Sequence, residues 1–401
     1  MKSPAPIHAA LIQSTLLSAC LLLTPASASQ AATANAAANT SSKPSAAQKK
    51  SKKPGPSTAK KASKTAQKHK DLPAQPFGER PDVMAFAATL AKEQGWELEA
   101  LRSTLAQARS VPAVQRLIMP APAGTAKDWA AYRARFVEPR RLQAGLAFWE
   151  QYAAPLARAE ARYGVPAELI AGLIGVETFY GQITGGFSVL DALATLSFDF
   201  PSGRSDRSAF FRAELVEFLK LCWREGMDPR AVKGSYAGAM GWPQFMPSSW
   251  NRYAIDFDGD GHANPIQSAE DAIGSVANYL AAFGWQRGMP THYSVALPVE
   301  TSARALLLAP DIKPTFSLAQ LREAGAQVSE AAQEHVGPLA VVELQNGAAA
   351  PSYWLGTENF YALTRYNWSS YYAMAVIEMG RTLKVMRTAQ TPAAAASISA
   401  N

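Results

Sequence analysis

Cysteine is nearly absent: Cys20 and Cys222 are the two among 401 residues, so no disulfide framework holds this chain. Histidine is scarce as well. His8, His69, His262, His292 and His335 stand at no recognised spacing from a cysteine, a second histidine or a nucleophilic serine, which argues against zinc and serine hydrolase chemistry. No glycine-rich phosphate loop precedes a helix. The apolar run from Leu16 to Leu23 is too short to span a bilayer, which takes ~20 residues. Acidic residues are missing altogether between Ser29 and Lys70, where ten lysines stand among Ala, Ser, Thr and Pro.

What is present at the N-terminus fits those absences. Lys2, the short apolar run and the small residues Ala26-Ser27-Ala28 predict a cleavable export signal over residues 1–28 and a periplasmic protein. "LSAC", ending at Cys20, also fits the box before a lipidated cysteine, which would make an outer-membrane lipoprotein. Leu21 to Leu23 continue the apolar run past Cys20 and favour cleavage after Ala28. Residues 29–73 cannot bury enough surface to fold and read as a disordered tether. A lysine-rich arm by itself suggests nucleic acid, but export removes that partner. Anionic lipid headgroups, acidic envelope polymers, or no partner beyond solvent remain. The chain carries +7, and without Lys2 and those ten lysines the remainder is mildly acidic, about −4.

Residues 74–390 read as the folded region, and 48% hydrophobic content is ample for its core. "VMAFAATLAKEQG", "LEALRSTLAQAR" and "LQAGLAFWEQYAAPLARAEARYG" carry apolar residues at three- and four-residue spacing, with a kink expected at Pro155. "VPAELIAGLIGVETFYG" has Pro166 suited to a first turn and Gly181 suited to a stop. Ser188 with Asp191, and Ser268 with Asp271, have capping-box spacing. From 291 to about 363, β-branched and alternating stretches such as "HYSVALPV" and "LAVVELQ" predict a small β-containing insert. The Ala-rich end, 391–401, reads as loose. Cys222 reads as a small buried hydrophobe.

Two stretches carry chemistry. In "GVETFYG", Glu177 shares a helical face with Ile170 and Ile174 near the C-terminal end of a helix that is apolar on most of its circumference. Burial and the helix dipole both favour the protonated carboxyl that a general acid needs. The competing assignment is a structural glutamate, exposed or paired with an arginine such as Arg212. In "KGSYAGAMGWPQFMPSSW", Gly234, Gly238 and Gly241 allow backbone to approach a ligand, and Ser235 and Gln244 supply hydrogen-bonding groups. Tyr236, Trp242 and Phe245 offer flat faces suited to sugar rings. A glycine-rich structural turn is the alternative.

These blocks, with "LDALATLSFDFP", "DFDGDG", "AIGSVANYLAAFGW" and "YNWSSYYAMAV", resemble the membrane-bound lytic murein transglycosylase B family from about Trp129 to Arg381. The resemblance implies a mainly α, α+β protein: a lysozyme-like helical core, an additional helical region and a small β-containing subdomain. It implies cleavage of peptidoglycan between N-acetylmuramic acid and N-acetylglucosamine, leaving a 1,6-anhydromuramoyl end. Glu177 matches the family's single acid/base. Ser235, Gln244, Tyr132, Tyr366 and Asn367 match residues that hold the sugar, and Tyr236 and Met240 are assigned to the same surface. Trp242-Pro243 departs from the small residues expected there. A muramidase using water and a non-catalytic wall-binding protein are the rival assignments.

"DFDGDGHANPIQ" places Asp256, Asp258 and Asp260 at the first, third and fifth positions of a calcium loop, with Gly261 sixth and the His262 carbonyl seventh. Position twelve is Gln267 where the standard loop has glutamate. The resemblance implies that a later acid closes the site, Asp271 or else Glu270. A structural calcium ion is expected there, and no cofactor for catalysis.

Overall fold

The apolar spacing from Pro81 onward folds as helices, in a computed structural model that describes residues 75–78, 80–120 and 127–398. The expected export signal and lysine tether lie outside the described residues. Strand β1 (Gln75–Pro76) pairs antiparallel with β2 (Arg109–Ser110) around helices α1 (Pro81–Gln94) and α2 (Leu98–Gln107). α3 (Pro112–Leu117) and α4 (Trp129–Arg133) follow. The long helix expected next is two helices, α5 (Pro139–Gln151) and α6 (Ala153–Tyr163). They break at Tyr152, so Pro155 sits in the first turn of α6, where its missing N–H leaves no helical bond unmade.

α7 (Ala167–Thr178) is the centre of the core: Leu169, Ile170, Leu173, Ile174 and Val176 are all buried, each favouring the fold by about 2 kcal/mol. Pro166 is its N-cap, just outside the helix. The helix stops at Thr178, earlier than Gly181, because Phe179 and Tyr180 adopt left-handed backbone conformations (φ 52° and 57°). β3 (Phe187–Ser188) leads into α8 (Val189–Phe198), α9 (Ser208–Arg224) and β4 (Lys233–Gly234), which pairs antiparallel with β3. Ser188 caps α8 by accepting from Asp191 N–H, while the Asp191 carboxylate turns outward to Arg109 N–H. Cys222 is buried on α9.

α10 (Pro247–Tyr253) and α11 (Ala269–Ala282) precede the β-containing region: β5 (His292–Ala296), α12 (Thr301–Leu308), α13 (Leu318–Glu323), β6 (Gln327–Val328), β7 (Ala340–Asn346) and β8 (Ala349–Gly356). Its four strands run in the order β6-β5-β8-β7, antiparallel throughout. Period-two alternation on β7 serves two cores. Val341 faces a small core with Tyr293, Leu307, Leu321, Leu339 and Leu355, whereas Ala340, Val342 and Leu344 join the helical core.

α14 (Glu358–Tyr366) and α15 (Ser370–Ile398) complete the chain, α15 continuing through the Ala-rich stretch expected to be loose, in keeping with alanine's helix propensity. α15 crosses α7 with backbone against backbone: a Cβ on Gly172 would stand 2.6 Å from Val376 O, and one on Gly380 would collide with Glu168 O. The glycine that weakens α7 locally thus lets the two helices meet beside Glu177.

Candidate active site

Glu177 lies one residue from the end of α7 and is 8% exposed. Its Oε1 accepts from Tyr372 Oη at 2.5 Å, from the first turn of α15. Burial pushes the carboxyl up to about 8, against the smaller lowering effect of the Tyr372 bond. No second carboxylate among the described residues contributes to its titration. Arg212, the arginine considered as a structural partner, donates to Ser197 O instead. Asp199 is held by Arg80 (2.6 Å) and Ser110 (2.5 Å), and Asp191 by the Arg109 backbone, so neither serves as a second acid beside Glu177.

The helix end that carries Glu177 is tied down on both sides. Thr178 Oγ1 donates to Trp242 O at 2.9 Å and accepts from Gly181 N–H at 3.1 Å, linking α7 to the glycine-rich block. Two consecutive non-glycine residues with positive φ follow, each less stable than right-handed backbone by about 1 kcal/mol. Gln244 (φ 50°) is another, so backbone strain concentrates on the two segments that build this site.

The glycine-rich block is a nested turn. Ser235 N–H donates to Ala239 O (2.8 Å), and Ser235 Oγ accepts from Ala239 N–H (3.0 Å) and Ala237 N–H (3.3 Å). Met240 and Phe245 then exchange backbone bonds at 2.9 and 3.0 Å. Gln244 is buried, and its Nε2 donates to Thr184 O and Gly241 O, both at 3.0 Å, which fixes the amide and leaves Oε1 as an acceptor. The flat faces expected for sugar stacking are mostly internal. Tyr236 and Phe245 are buried, Met240 is fully so, and Phe245 packs on Tyr279 and Tyr366. Trp242 stays half-buried, with Nε1 donating to Ile266 O. Aromatic residues in a tight turn fill the space beneath it, and sequence could not tell that side from the open one.

α14 and α15 supply the other wall. Tyr366 stacks on Tyr372 (ring centroids 6.4 Å apart, planes at 14°) and donates to Pro243 O at 2.5 Å, joining this wall to the glycine-rich block. Burial, with Glu177 nearby, holds both phenols well above their usual range, so they remain donors at neutral pH. Asn367 is buried and its Nδ2 has no partner among the described residues, an orphan donor in a polar site. Tyr132 is half-buried and packs its ring edge-on against Tyr371, the neighbour of Tyr372. Sequence reasoning missed Tyr372. Its signal was a hydroxyl heading the otherwise apolar run from Ala373 to Ile377.

The aspartate loop lies between α10 and α11. Asp256, Asp258 and Asp260 each offer an oxygen within 4.8 Å of the others, and all are exposed. Asp256 accepts from Gly259 N–H (2.6 Å) and Gly261 N–H (2.8 Å), Asp260 from His262 N–H (2.8 Å), so the loop is shaped by its own carboxylates. Among the described residues no Lys or Arg pairs with the three. Oxygen donors of this kind suit a hard divalent cation. Asp271 is fully buried with Oδ1 on Phe257 and Asp258 N–H and Oδ2 on Asn264 N–H; it lies outside the three-carboxylate cluster. Glu270 is paired with Arg158 at 3.0 Å.

A family described as transglycosylase SLT domain matches residues 78–381. Membrane-bound lytic murein transglycosylase B of Escherichia coli (strain K12) is 40% identical over 319 residues, 78% of this chain and 85% of that protein. The crystal structure of soluble lytic transglycosylase SltB1 from Pseudomonas aeruginosa superposes with a TM-score of 0.69 at 40% identity, covering 77% of this chain and 100% of that one. Escherichia coli lytic transglycosylase Slt35 in complex with calcium gives a TM-score of 0.69 at 39% identity, over 80% of this chain and 98% of that one.

Proposed function

Because the chain belongs to the transglycosylase SLT domain family and is a peptidoglycan lytic transglycosylase, we propose that Glu177 is its single acid/base. The observation that carries this is a buried carboxyl held protonated near neutral pH, with one phenol on it and no second carboxylate among the described residues acting on it. Hydrolytic glycosidases use two carboxyl groups, ~5 Å apart to retain configuration and ~6.5–9.5 Å apart to invert it. A single one suffices when the nucleophile is internal. Protonated Glu177 gives its proton to the oxygen leaving from the muramic acid C1. The resulting carboxylate then takes the proton of the same sugar's 6-hydroxyl as that oxygen attacks C1, closing the 1,6-anhydro ring and restoring the acid.

The surrounding residues take the roles their free atoms allow. Ser235 Oγ accepts two backbone bonds and keeps its own proton to orient the N-acetyl carbonyl. Gln244 Oε1 accepts from a sugar hydroxyl, and Asn367 Nδ2 donates to the glycan. Tyr132 and Tyr366 line the walls, while buried Tyr236 and Met240 shape the floor. Asp256, Asp258, Asp260 and the His262 carbonyl would hold calcium, with Asp271 bracing the loop backbone from inside. Calcium bound there would neutralise three repelling carboxylates beside α11 and supply no chemistry to the reaction. The enzyme acts in the periplasm after export, soluble or anchored through Cys20, with the lysine tether on anionic envelope polymers or lipid.

Digestion of purified sacculi followed by mass spectrometry tests the reaction. Anhydromuropeptides are expected; reducing muramic acid ends would make the enzyme a muramidase, and no soluble product would make it a binding protein. Calorimetric titration with calcium tests the loop, where no heat and no rise in melting temperature would remove the metal.

A further inference from the structure

Arg141 is a buried guanidinium without a carboxylate. It sits in the first turn of α5 and is 3% exposed. Glu138, the acid beside it, has both oxygens on backbone N–H groups, those of Arg140 and Arg141, as the cap of α5. No ion pair to Arg141 exists among the described residues, and its Nε has no hydrogen-bond partner there. Burying a cation unpaired is unfavourable by several kcal/mol, offset only by the hydrogen bonds and ring contacts it makes.

Its contacts converge on the turn that carries Glu177. Arg141 NH1 donates to Gly175 O at 2.6 Å, two residues before the carboxyl. The same oxygen accepts the last helical bond of α7, from Phe179 N–H at 3.2 Å. Phe179, two residues after Glu177, is the first of the two left-handed residues, and its ring lies 4.7 Å from the guanidinium carbon, with Phe136 at 5.6 Å on the same cation. One side chain thus grips both ends of the Gly175–Phe179 turn, by a charge-assisted bond at one end and a cation–π contact at the other. A carboxyl that must meet a glycosidic oxygen has to be held to within about 0.5 Å. Released, the turn would relax toward right-handed backbone at Phe179 and rotate Glu177 away.

We propose that Arg141 is a positioning residue of the transglycosylase reaction, clamping the strained turn after α7 so that Glu177 is aimed at the scissile oxygen. This rests on Glu177 being the acid/base.

The test measures kcat and KM for anhydromuropeptide release by the full-length enzyme. Arg141→Met, which keeps the length and apolar bulk of the stem, should lower kcat at least 30-fold with KM within twofold. Arg140→Met, the exposed neighbour, should match the native enzyme. In the Arg141→Met background, Phe179→Gly should recover kcat at least fivefold, because glycine adopts the left-handed conformation without a clamp. A merely structural arginine would not be rescued by also removing the partly buried Phe179 ring. A folded Arg141→Met enzyme with native kcat, a loss confined to KM, or a double variant no better than the single one would each overturn the proposal. Should Arg141→Met not fold, Arg141→Lys, which keeps charge but not the planar fork, decides: about a tenfold fall in kcat is expected, and a native kcat overturns it. Glu177→Gln run alongside separates the two ideas. If it stays active the acid/base assignment fails; if it is dead while Arg141→Met is native, only the clamp fails.

Discussion

Two glutamates are buried among the described residues, and they are opposites. Glu214 on α9 is 4% exposed and engages both oxygens: Oε2 accepts Ser248 N–H at 2.9 Å and Oε1 accepts Ser248 Oγ at 2.7 Å. Ser248 is in the first turn of α10, so Glu214 sits at the positive end of a helix and acts as its anchor. Glu177 is at the negative end of α7, with one phenol on one oxygen. Burial raises the carboxyl pKa in both. Burial alone therefore does not make a reagent; what sets Glu177 apart is a carboxyl oxygen with no hydrogen-bond partner among the described residues.

That contrast breaks in four measurable ways. The largest effect is on turnover. Glu177→Gln should abolish anhydromuropeptide release, a loss on the order of 10³-fold or more, in a protein that still melts cooperatively.

The second is the pH dependence of stability. An unfolded Glu177 ionises near 4.5, whereas the folded one keeps its proton up to about 8. The unfolded state therefore binds fewer protons across that window, and its contribution to stability, full below about 4.5, is lost as pH rises to about 8. By pH 7 the loss amounts to about 3 kcal/mol. Glu177→Gln should consequently melt higher than the native enzyme at pH 7 and with no advantage at pH 4. An advantage that grew toward acid would place Glu177 among ordinary paired carboxylates. Activity should fall above pH about 8, where the acid proton is gone.

Glu214→Ala should do the reverse. The unfolding free energy from denaturant titration should fall by roughly 2 kcal/mol as Ser248 N–H is left unpaired, with kcat within a few-fold of native. A loss of turnover without loss of stability would make the two glutamates alike.

The smallest effect is Tyr372→Phe, about tenfold in kcat, with the alkaline limb of the activity profile moving upward because the Tyr372 bond is what lowers the Glu177 pKa. A downward move would mean that the phenol stabilises the neutral carboxyl instead.

Much of the architecture was legible in periodicity. Three- and four-residue spacing located the helices, and β-branched alternation located the region that holds β5 to β8. Glu177 was legible too, as a carboxylate among Leu, Ile and Val. Less legible were the ends of elements and the direction of side chains. Gly181 offered an obvious stop, yet α7 ends at Thr178, because ties from Thr178 to Trp242 and from Arg141 to Gly175 hold the bulky Phe179 in backbone space that its own chemistry disfavours. Tyr236 and Phe245 looked like sugar platforms and are buried, since aromatic type fixes flatness but not which side of a turn faces solvent.

The sequence by itself determined the chemistry available: a helical core, one carboxylate in an apolar helix, a glycine-rich turn and an aspartate loop, all written in local spacing of a few residues. Only the tertiary structure decided which groups meet. Tyr372, 195 positions from Glu177, reaches it because Gly172 and Gly380 let α7 and α15 cross at backbone contact. Such a meeting depends on the shape of two distant surfaces, which no local pattern encodes.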